Sequence, residues 1–268
     1  MDQKGVSRTE AVFHATMVAC AKVGRWRECT ATLQDMRASG LQPRVMAYNS
    51  VVTAFGRAKE WRRGLAVLGS MPSMGVTPDC VTFNAAMDAC AQAGRWREAL
   101  NILEFMRDPE SDAGSEVSDM MEALRSEAER RGPRAEDWKP SGSVNGDPIG
   151  ERMCCPPRPD GVSFHVVVKA LSRAGLWEKA LDVLEELRAE RQRLYKSRAT
   201  RATAARKDPK AKGILSSDPV RPLDVERFRL LFRDTKSKGV GVTSKQQAML
   251  VLSDIERQEH DFFAMYRC

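Results

Sequence analysis

Apolar and polar positions along this chain recur with a step of 35 residues. Trp26, Trp61 and Trp96 keep that step, and so do Phe13, Tyr48 and Phe83, Leu33, Leu68 and Leu103, and Met36, Met71 and Met106. A further copy lies 81 residues beyond the third: Phe83 maps to Phe164, Gly94 to Gly175, Trp96 to Trp177, Leu103 to Leu184, and Pro78-Asp79 to Pro159-Asp160. Since 81 exceeds the basic step by 46, the third copy carries a 46-residue insertion. Self-similarity at a period of roughly 20–50 residues marks an array of identical supersecondary units, none of which buries its apolar face alone.

The periodicity inside each copy names the unit. The first half places apolar residues at plus four and plus seven from the aromatic: Phe13/Met17/Cys20, Tyr48/Val52/Phe55, Phe83/Met87/Cys90 and Phe164/Val168/Leu171. That spacing is one face of a helix. A break containing glycine follows in most copies (Gly24, Gly94, Gly175), and the second half sets Trp96, Ala99, Leu100, Leu103 and Met106 on another helical face. Gly40 to Pro43 and Gly75 to Pro78 are predicted to stop the second helix, since glycine suits a helix C-terminus and proline cannot continue it. Each unit is thus a helical hairpin, and the predicted fold class is all-α: a right-handed α-solenoid of about four stacked hairpins with a C-terminal helical cap. Small residues recur where successive helices meet, at Ala19, Ala54, Ala89 and Ala170 and again at Ala21, Gly56, Ala91 and Ser172. The tryptophan column reads as packing between hairpins.

Charge divides the chain further. Residues 108–158 hold seven basic and twelve acidic side chains and are rich in Gly, Pro and Ser, so this insertion is expected to be largely loop with one short helix near Ser118–Arg130. Trp138 within it either pins the loop to the solenoid or meets a partner. Residues 188–212 carry ten basic and two acidic side chains, enough to hold a polyphosphate by counterion release. Val225 to Lys236 and Ser244 to Glu256 read as a last helical pair, the second opened by Ser244. The expected organisation is repeats 1–3 over 1–107 (10–44, 45–79, 80–107), the insertion over 108–158, repeat 4 with a lengthened second helix over 159–200, a basic linker over 201–222, and the cap over 223–268. No apolar run approaches the roughly 20 residues that a membrane span requires.

Seven cysteines with no C-x-x-C pair, and only three histidines, argue for free thiols and against a metal site. Cys20 and Cys90 occupy equivalent positions suited to a small buried residue; Cys154-Cys155 lies in a Pro-rich stretch. No phosphate loop, histidine-based triad or nucleophile elbow is present. The chain therefore reads as a binder without cofactor or metal, and not as an enzyme.

Val81-Thr82-Phe83-Asn84, Ala93-Gly94-Arg95 and Glu98-Ala99-Leu100, with the constant step and the closing Pro-Asp, resemble the pentatricopeptide repeat. The resemblance covers about residues 10–107 and 159–190. It implies recognition of single-stranded RNA, one base per unit, by the fifth and last residues of each repeat, with the second residue packing on the base. Carried across, the base-reading row is His14 with Arg44, Asn49 with Asp79, Asn84 with Asp160, and His165, for which Asp218 or Asp224 would close the unit. The packing positions are Met46, Val81 and Val162. Asn with Asp matches the combination associated with uracil, whereas His14, Arg44 and His165 depart from the pattern.

Arg188, Arg191, Arg193, Lys196, Arg198 and Arg201 are the expected phosphate contacts, adding affinity without sequence information. The resemblance also implies work in a mitochondrion or plastid, although no Arg/Ser-rich presequence precedes the first repeat; the cytoplasm is the other address. The alternative function is a helical scaffold that binds protein through the insertion or its helical surface, within a ribonucleoprotein or another large assembly.

Overall fold

The 35-residue step becomes a step in space. The computed structural model describes residues 10–130, 156–207, 223–233 and 242–265, and among these every regular element is helical. The chain divides into two compact units, Met1–Ala170 and Leu171–Cys268.

The first unit holds α1 (Glu10–Val23), α2 (Trp26–Ala38), α3 (Val45–Arg57), α4 (Trp61–Ser70), α5 (Cys80–Gln92), α6 (Trp96–Arg107), α7 (Asp112–Arg130) and most of α8 (Gly161–Arg173). The first helices α3 and α5 each pack against their own second helix and against the preceding hairpin: α3 touches α1, α2 and α4, and α5 touches α3, α4 and α6. That stacking buries Tyr48, Phe55, Phe83 and Phe164 almost completely, together with the methionine column Met36, Met71 and Met106. Each such side chain withdrawn from water contributes about 1.5–3 kcal/mol. Close approach of the first helices depends on missing side chains. A Cβ on Gly56 would stand 3.1 Å from both Cα and Cβ of Ala89, so α3 and α5 meet there at backbone distance.

The turn inside each hairpin is the same device four times. An amide reaches back five residues to a carbonyl (Arg25 to Cys20 at 3.0 Å, Glu60 to Phe55 at 2.9 Å, Arg95 to Cys90 at 2.8 Å, Leu176 to Leu171 at 3.0 Å). The residue before that amide is left-handed: Gly24, Gly94 and Gly175 at φ +75° to +78°, and Lys59 at +60° in the copy that lacks glycine. Gly40 closes α2 in the same way. In the second copy the helix ends sooner than Gly75, because Pro72 has no amide to donate, and a 3₁₀ turn, Pro72–Met74, fills the gap.

The tryptophans pack between hairpins as the column implied. Trp26 lies 5.4 Å from the Phe55 ring and 4.5 Å from the Arg63 guanidinium, and Arg95 covers Trp61 at 5.1 Å. Cys90 is buried but Cys20 only half so, since no described hairpin covers the outer side of α1.

The helix of the insertion is longer than expected. This helix, α7, begins at Asp112 rather than near Ser118 and runs nineteen residues. It packs against α4 and α6, burying Val117 and Met121. Gly69 makes room for it: a Cβ there would lie 3.2 Å from the Met121 backbone oxygen. Two apolar residues one helical turn apart, set in an acidic stretch, are a weak sequence signal, and the groove between two second helices turns them into a stable face. Trp138, Cys154 and Cys155 lie outside the described residues, as does Cys268.

The second unit contains α9 (Trp177–Lys207), α10 (Val225–Arg233) and α11 (Val242–Met265), with α11 packed on both α9 and α10. The helix α9 extends through much of the basic segment to Lys207, seven residues into the stretch expected to be linker. The described part of α10 ends at Arg233, whereas α11 is already helical at Val242 and continues nine residues past Glu256. The continuation rests on Glu259, a buried carboxylate that accepts from the Arg191 guanidinium, the Tyr195 hydroxyl (3.0 Å) and the Leu223 amide (3.1 Å). This charge is an interior one, compensated by partners distant in sequence.

Candidate nucleic-acid interface

Two of the four rungs share one hydrogen-bond pattern. In the first of them, Asn49 on α3 donates through Nδ2 to Asp79 Oδ1 (3.2 Å) and accepts through Oδ1 from the Thr82 hydroxyl (2.6 Å). In the second, Asn84 on α5 donates to Asp160 Oδ1 (3.1 Å) and accepts from the Ser163 hydroxyl (2.7 Å). Both Asp residues also cap the next first helix. Asp79 Oδ1 takes the Thr82 amide at 2.8 Å, and Asp160 Oδ1 takes those of Val162 and Ser163 at 3.0 and 2.9 Å. The Thr82 and Ser163 hydroxyls reciprocate by accepting the Asp amides at 3.1 Å. Helix capping thus fixes each carboxylate, and the carboxylate fixes the amide of the preceding repeat.

The hydroxyls of Thr82 and Ser163 were not among the residues expected at this site. Their signal is present in the sequence: Asp-Cys-Val-Thr and Asp-Gly-Val-Ser stand 81 residues apart with capping-box spacing. For the first rung, His14 with Arg44, Ala47 at the start of the second repeat occupies that register position and has no hydroxyl. There His14 Nε2 and Arg44 Nε each lie 3.5 Å from Glu10 Oε1, so an acid on the same helix links the two expected readers. His165 sits half-buried on α8, and Asp224, one of its two candidate partners, is exposed and paired with Arg227 at 2.9 Å. Asp218 lies outside the described residues.

Exposure sorts the row. Met46, Val81 and Val162 are 64, 58 and 43% exposed, an apolar column open to solvent. Asp79 and Asp160 are exposed, and Asn49 is half-buried. Asn84 corrects the expectation of an open ladder: it is only 8% exposed, enclosed between α5 and the Asp160–Ser163 turn, and its Nδ2 also lies 3.8 Å from Cys80 Sγ. Burial, followed by the negative charge of Asp160, pushes the Cys80 thiol up to about 11. What this rung offers outward is its carboxylate. In Asp79 every hydrogen bond among the described residues falls on Oδ1, leaving Oδ2 as an outward acceptor. The helix α7 does not obstruct the row, because it packs on the second helices α4 and α6.

The expected phosphate contacts all lie on α9, in the second unit. Arg191 does not fit that role, since it is buried against Glu259. Arg188 is half-buried and paired with Asp254 at 3.4 Å. Arg193 and Lys196 are exposed, and Arg198 and Arg201 continue the same helix. Among the described residues no cluster of three or more His, Cys, Asp or Glu is arranged to hold a metal, and no helix is long and apolar enough to cross a membrane.

Stacked two-helix units with a 35-residue step, capped from one unit to the next by Asp, define the chain as a helical-repeat protein. The profile described as the pentacotripeptide-repeat region of PRORP matches residues 1–129, and the PPR repeat profile matches residues 162–191. The chain belongs to the pentatricopeptide repeat family. The first match runs through α7, beyond the 107 residues that the repeat columns alone had reached.

Among solved structures it is similar to the pentatricopeptide repeat protein PPR10 in complex with an 18-nucleotide psaJ RNA element, at 15% identity and a TM-score of 0.38, over 95% of this chain and 36% of that one. A structure of PPR10 from maize gives the same identity and TM-score over 98% and 40%. The chain thus spans little more than a third of the length of these proteins. No curated protein matches it.

Proposed function

We propose that this chain binds single-stranded RNA along the row of first helices, with Asn49/Asp79 and Asn84/Asp160 reading two adjacent uridines. The observation that carries the reading is the duplication of one hydrogen-bond pattern in consecutive repeats, beside an open column of Met46, Val81 and Val162. A carboxylate is an acceptor only, so it favours a base edge that presents an N–H, as the uracil imide does, and the exposed apolar side chains give the base a face to rest on.

Each read base contributes roughly 1–3 kcal/mol, so two such sites give short-footprint recognition. His14–Glu10–Arg44 and His165 add weaker or different preferences, and Arg193, Lys196, Arg198 and Arg201 add salt-dependent affinity. The protein acts as a binder in this reading, in RNA metabolism of a mitochondrion or plastid as its family resemblance implies. PPR10, a protein built from the same kind of repeat, is itself seen in complex with an RNA element.

The satisfied state of Asn84 favours a second reading, in which the Asn–Asp–hydroxyl pattern serves only to clamp neighbouring repeats of a protein-binding scaffold. Anisotropy titrations with short uridine-rich and adenosine-rich strands over a salt series separate the two. RNA reading requires tighter binding of the uridine strand, reduced in an Asp79→Asn/Asp160→Asn double variant by about fivefold or more; equal affinity for both strands, unchanged in the variant, leaves only the scaffold.

A further inference from the structure

The turns between the first and second helix of each hairpin gather most of the positive charge of the repeats. Of the fourteen Lys and Arg in residues 1–107, nine fall in the windows 22–28, 57–63 and 92–98, one step apart, together with three of the nine acids. Those acids are engaged within their own turns: Glu28 pairs with Arg25 at 3.3 Å, Glu60 with Arg63 at 3.9 Å, and Glu98 with Arg95. The windows keep a surplus of six positive charges along one edge of the first unit. Arg57, in the second window, stands eight residues beyond Asn49 on α3, about 12 Å along the helix, so this edge is separate from the base row.

Three arginines stand in register on it. Arg27, Arg62 and Arg97 are exposed, and each guanidinium lies over the tryptophan that precedes it, at 5.2, 5.4 and 5.2 Å. A second guanidinium reaches Trp26 and Trp61 from the next repeat, Arg63 at 4.5 Å and Arg95 at 5.1 Å. Stacking holds the planar forks in place, so less freedom is lost when they meet an anion. It also covers Trp26 and Trp61, so neither ring serves as the stacking platform that single-strand binding uses. The edge offers charge and N–H forks without an apolar anchor, which suits neither an unpaired strand nor a protein partner. The first helices α1, α3 and α5 pack in succession, at about 8–10 Å per step, so the arginine row spans about 16–20 Å, half a turn of a nucleic-acid duplex.

We propose that this edge binds double-stranded RNA through its phosphates, without regard to sequence, beside the single strand held by the first-helix row. A duplex hides its base edges and presents charge along one side, and guanidinium forks match phosphate oxygens two at a time. That the polyphosphate is RNA rests on the function proposed above; the site itself rests on the charge and its register. A structured RNA with a single-stranded loop or flank satisfies both surfaces at once.

Anisotropy titrations of the full chain with a blunt RNA duplex of about 16 base pairs, over about 50–200 mM salt, test it. Binding is expected at the low end and weakens steeply with salt. The triple variant Arg27→Gln/Arg62→Gln/Arg97→Gln should lower duplex affinity by about tenfold or more and the salt slope by about two to three units, roughly 0.9 per cation removed, with unchanged helix content. Arg27→Lys/Arg62→Lys/Arg97→Lys should keep the slope, and Asp79→Asn/Asp160→Asn should bind the duplex as the unsubstituted chain does. No duplex binding at low salt overturns the proposal. So does a triple Gln variant that binds like the unsubstituted chain, or displacement of the duplex by polyglutamate at equal charge, which assigns the edge to an acidic protein. A DNA duplex bound about tenfold more tightly overturns the choice of RNA. Equal affinity for uridine and adenosine strands, with duplex binding still dependent on the three arginines, overturns the base reading and leaves this site standing.

Discussion

Asp79 performs two tasks that substitution can separate. It caps α5 through the Thr82 amide at 2.8 Å and holds Asn49 at 3.2 Å. Losing an N-cap side chain costs about 1 kcal/mol, and the Asn49 bond, half open to water, adds about another 0.5–1.5. Asp79→Ala is therefore expected to destabilise the repeats by about 2 kcal/mol. For a unit of this size that lowers the unfolding midpoint by roughly 4–8 °C, measured by far-UV circular dichroism.

Asn caps a helix as well as Asp, so Asp79→Asn keeps the cap and loses only the charge near the helix start, a cost of a few tenths of a kcal/mol. Its effect should fall on RNA instead, because an amide turned toward the base can offer N–H groups where the carboxylate offered only acceptors; uridine binding is expected to weaken by about 1 kcal/mol, or fivefold. If Asp79→Asn lowers the midpoint as far as Asp79→Ala does, the capping argument is wrong. If it leaves uridine preference intact, the carboxylate is not a reader.

Glu259→Ala leaves the Arg191 charge buried without its carboxylate, at a cost of about 3–5 kcal/mol. Hydrogen exchange should then show α9 and α11 losing protection while α3 and α5 keep theirs; equal loss in both units would show that they unfold as one. Burial holds the Cys29 and Cys90 thiols up at about 12, against an ordinary value of 9.0. A raised value favours the neutral thiol in the folded state, so the stabilisation is complete below about pH 9 and is lost as pH rises toward 12. At pH 8 only about one molecule in ten thousand carries either thiolate. An iodoacetamide pulse read by mass spectrometry should therefore label half-exposed Cys20 well before those two, and equal rates would contradict the packing described for α2 and α5.

Periodicity alone determined a good deal of this protein. Constant spacing of Trp, Phe or Tyr, Leu and Met made each 35-residue unit a hairpin, because only helices place those columns on one face, and stacking is the only way such hairpins bury that face. It also located Asn49, Asn84, Asp79 and Asp160 in register. What it missed depended on neighbours brought in from afar.

The helix expected near Ser118 begins instead at Asp112, with Val117 and Met121 seated against α4 and α6 in a groove that Gly69 deepens. Arg191 read as a phosphate contact until the fold set it against Glu259, away from water. Asn84 read as an open amide until the Ser163 hydroxyl and the Asp160 carboxylate closed over it. Sequence spacing reports the face on which a residue lies; whether that face meets water, another helix or a counter-charge is decided by packing between segments that the chain keeps tens of residues apart.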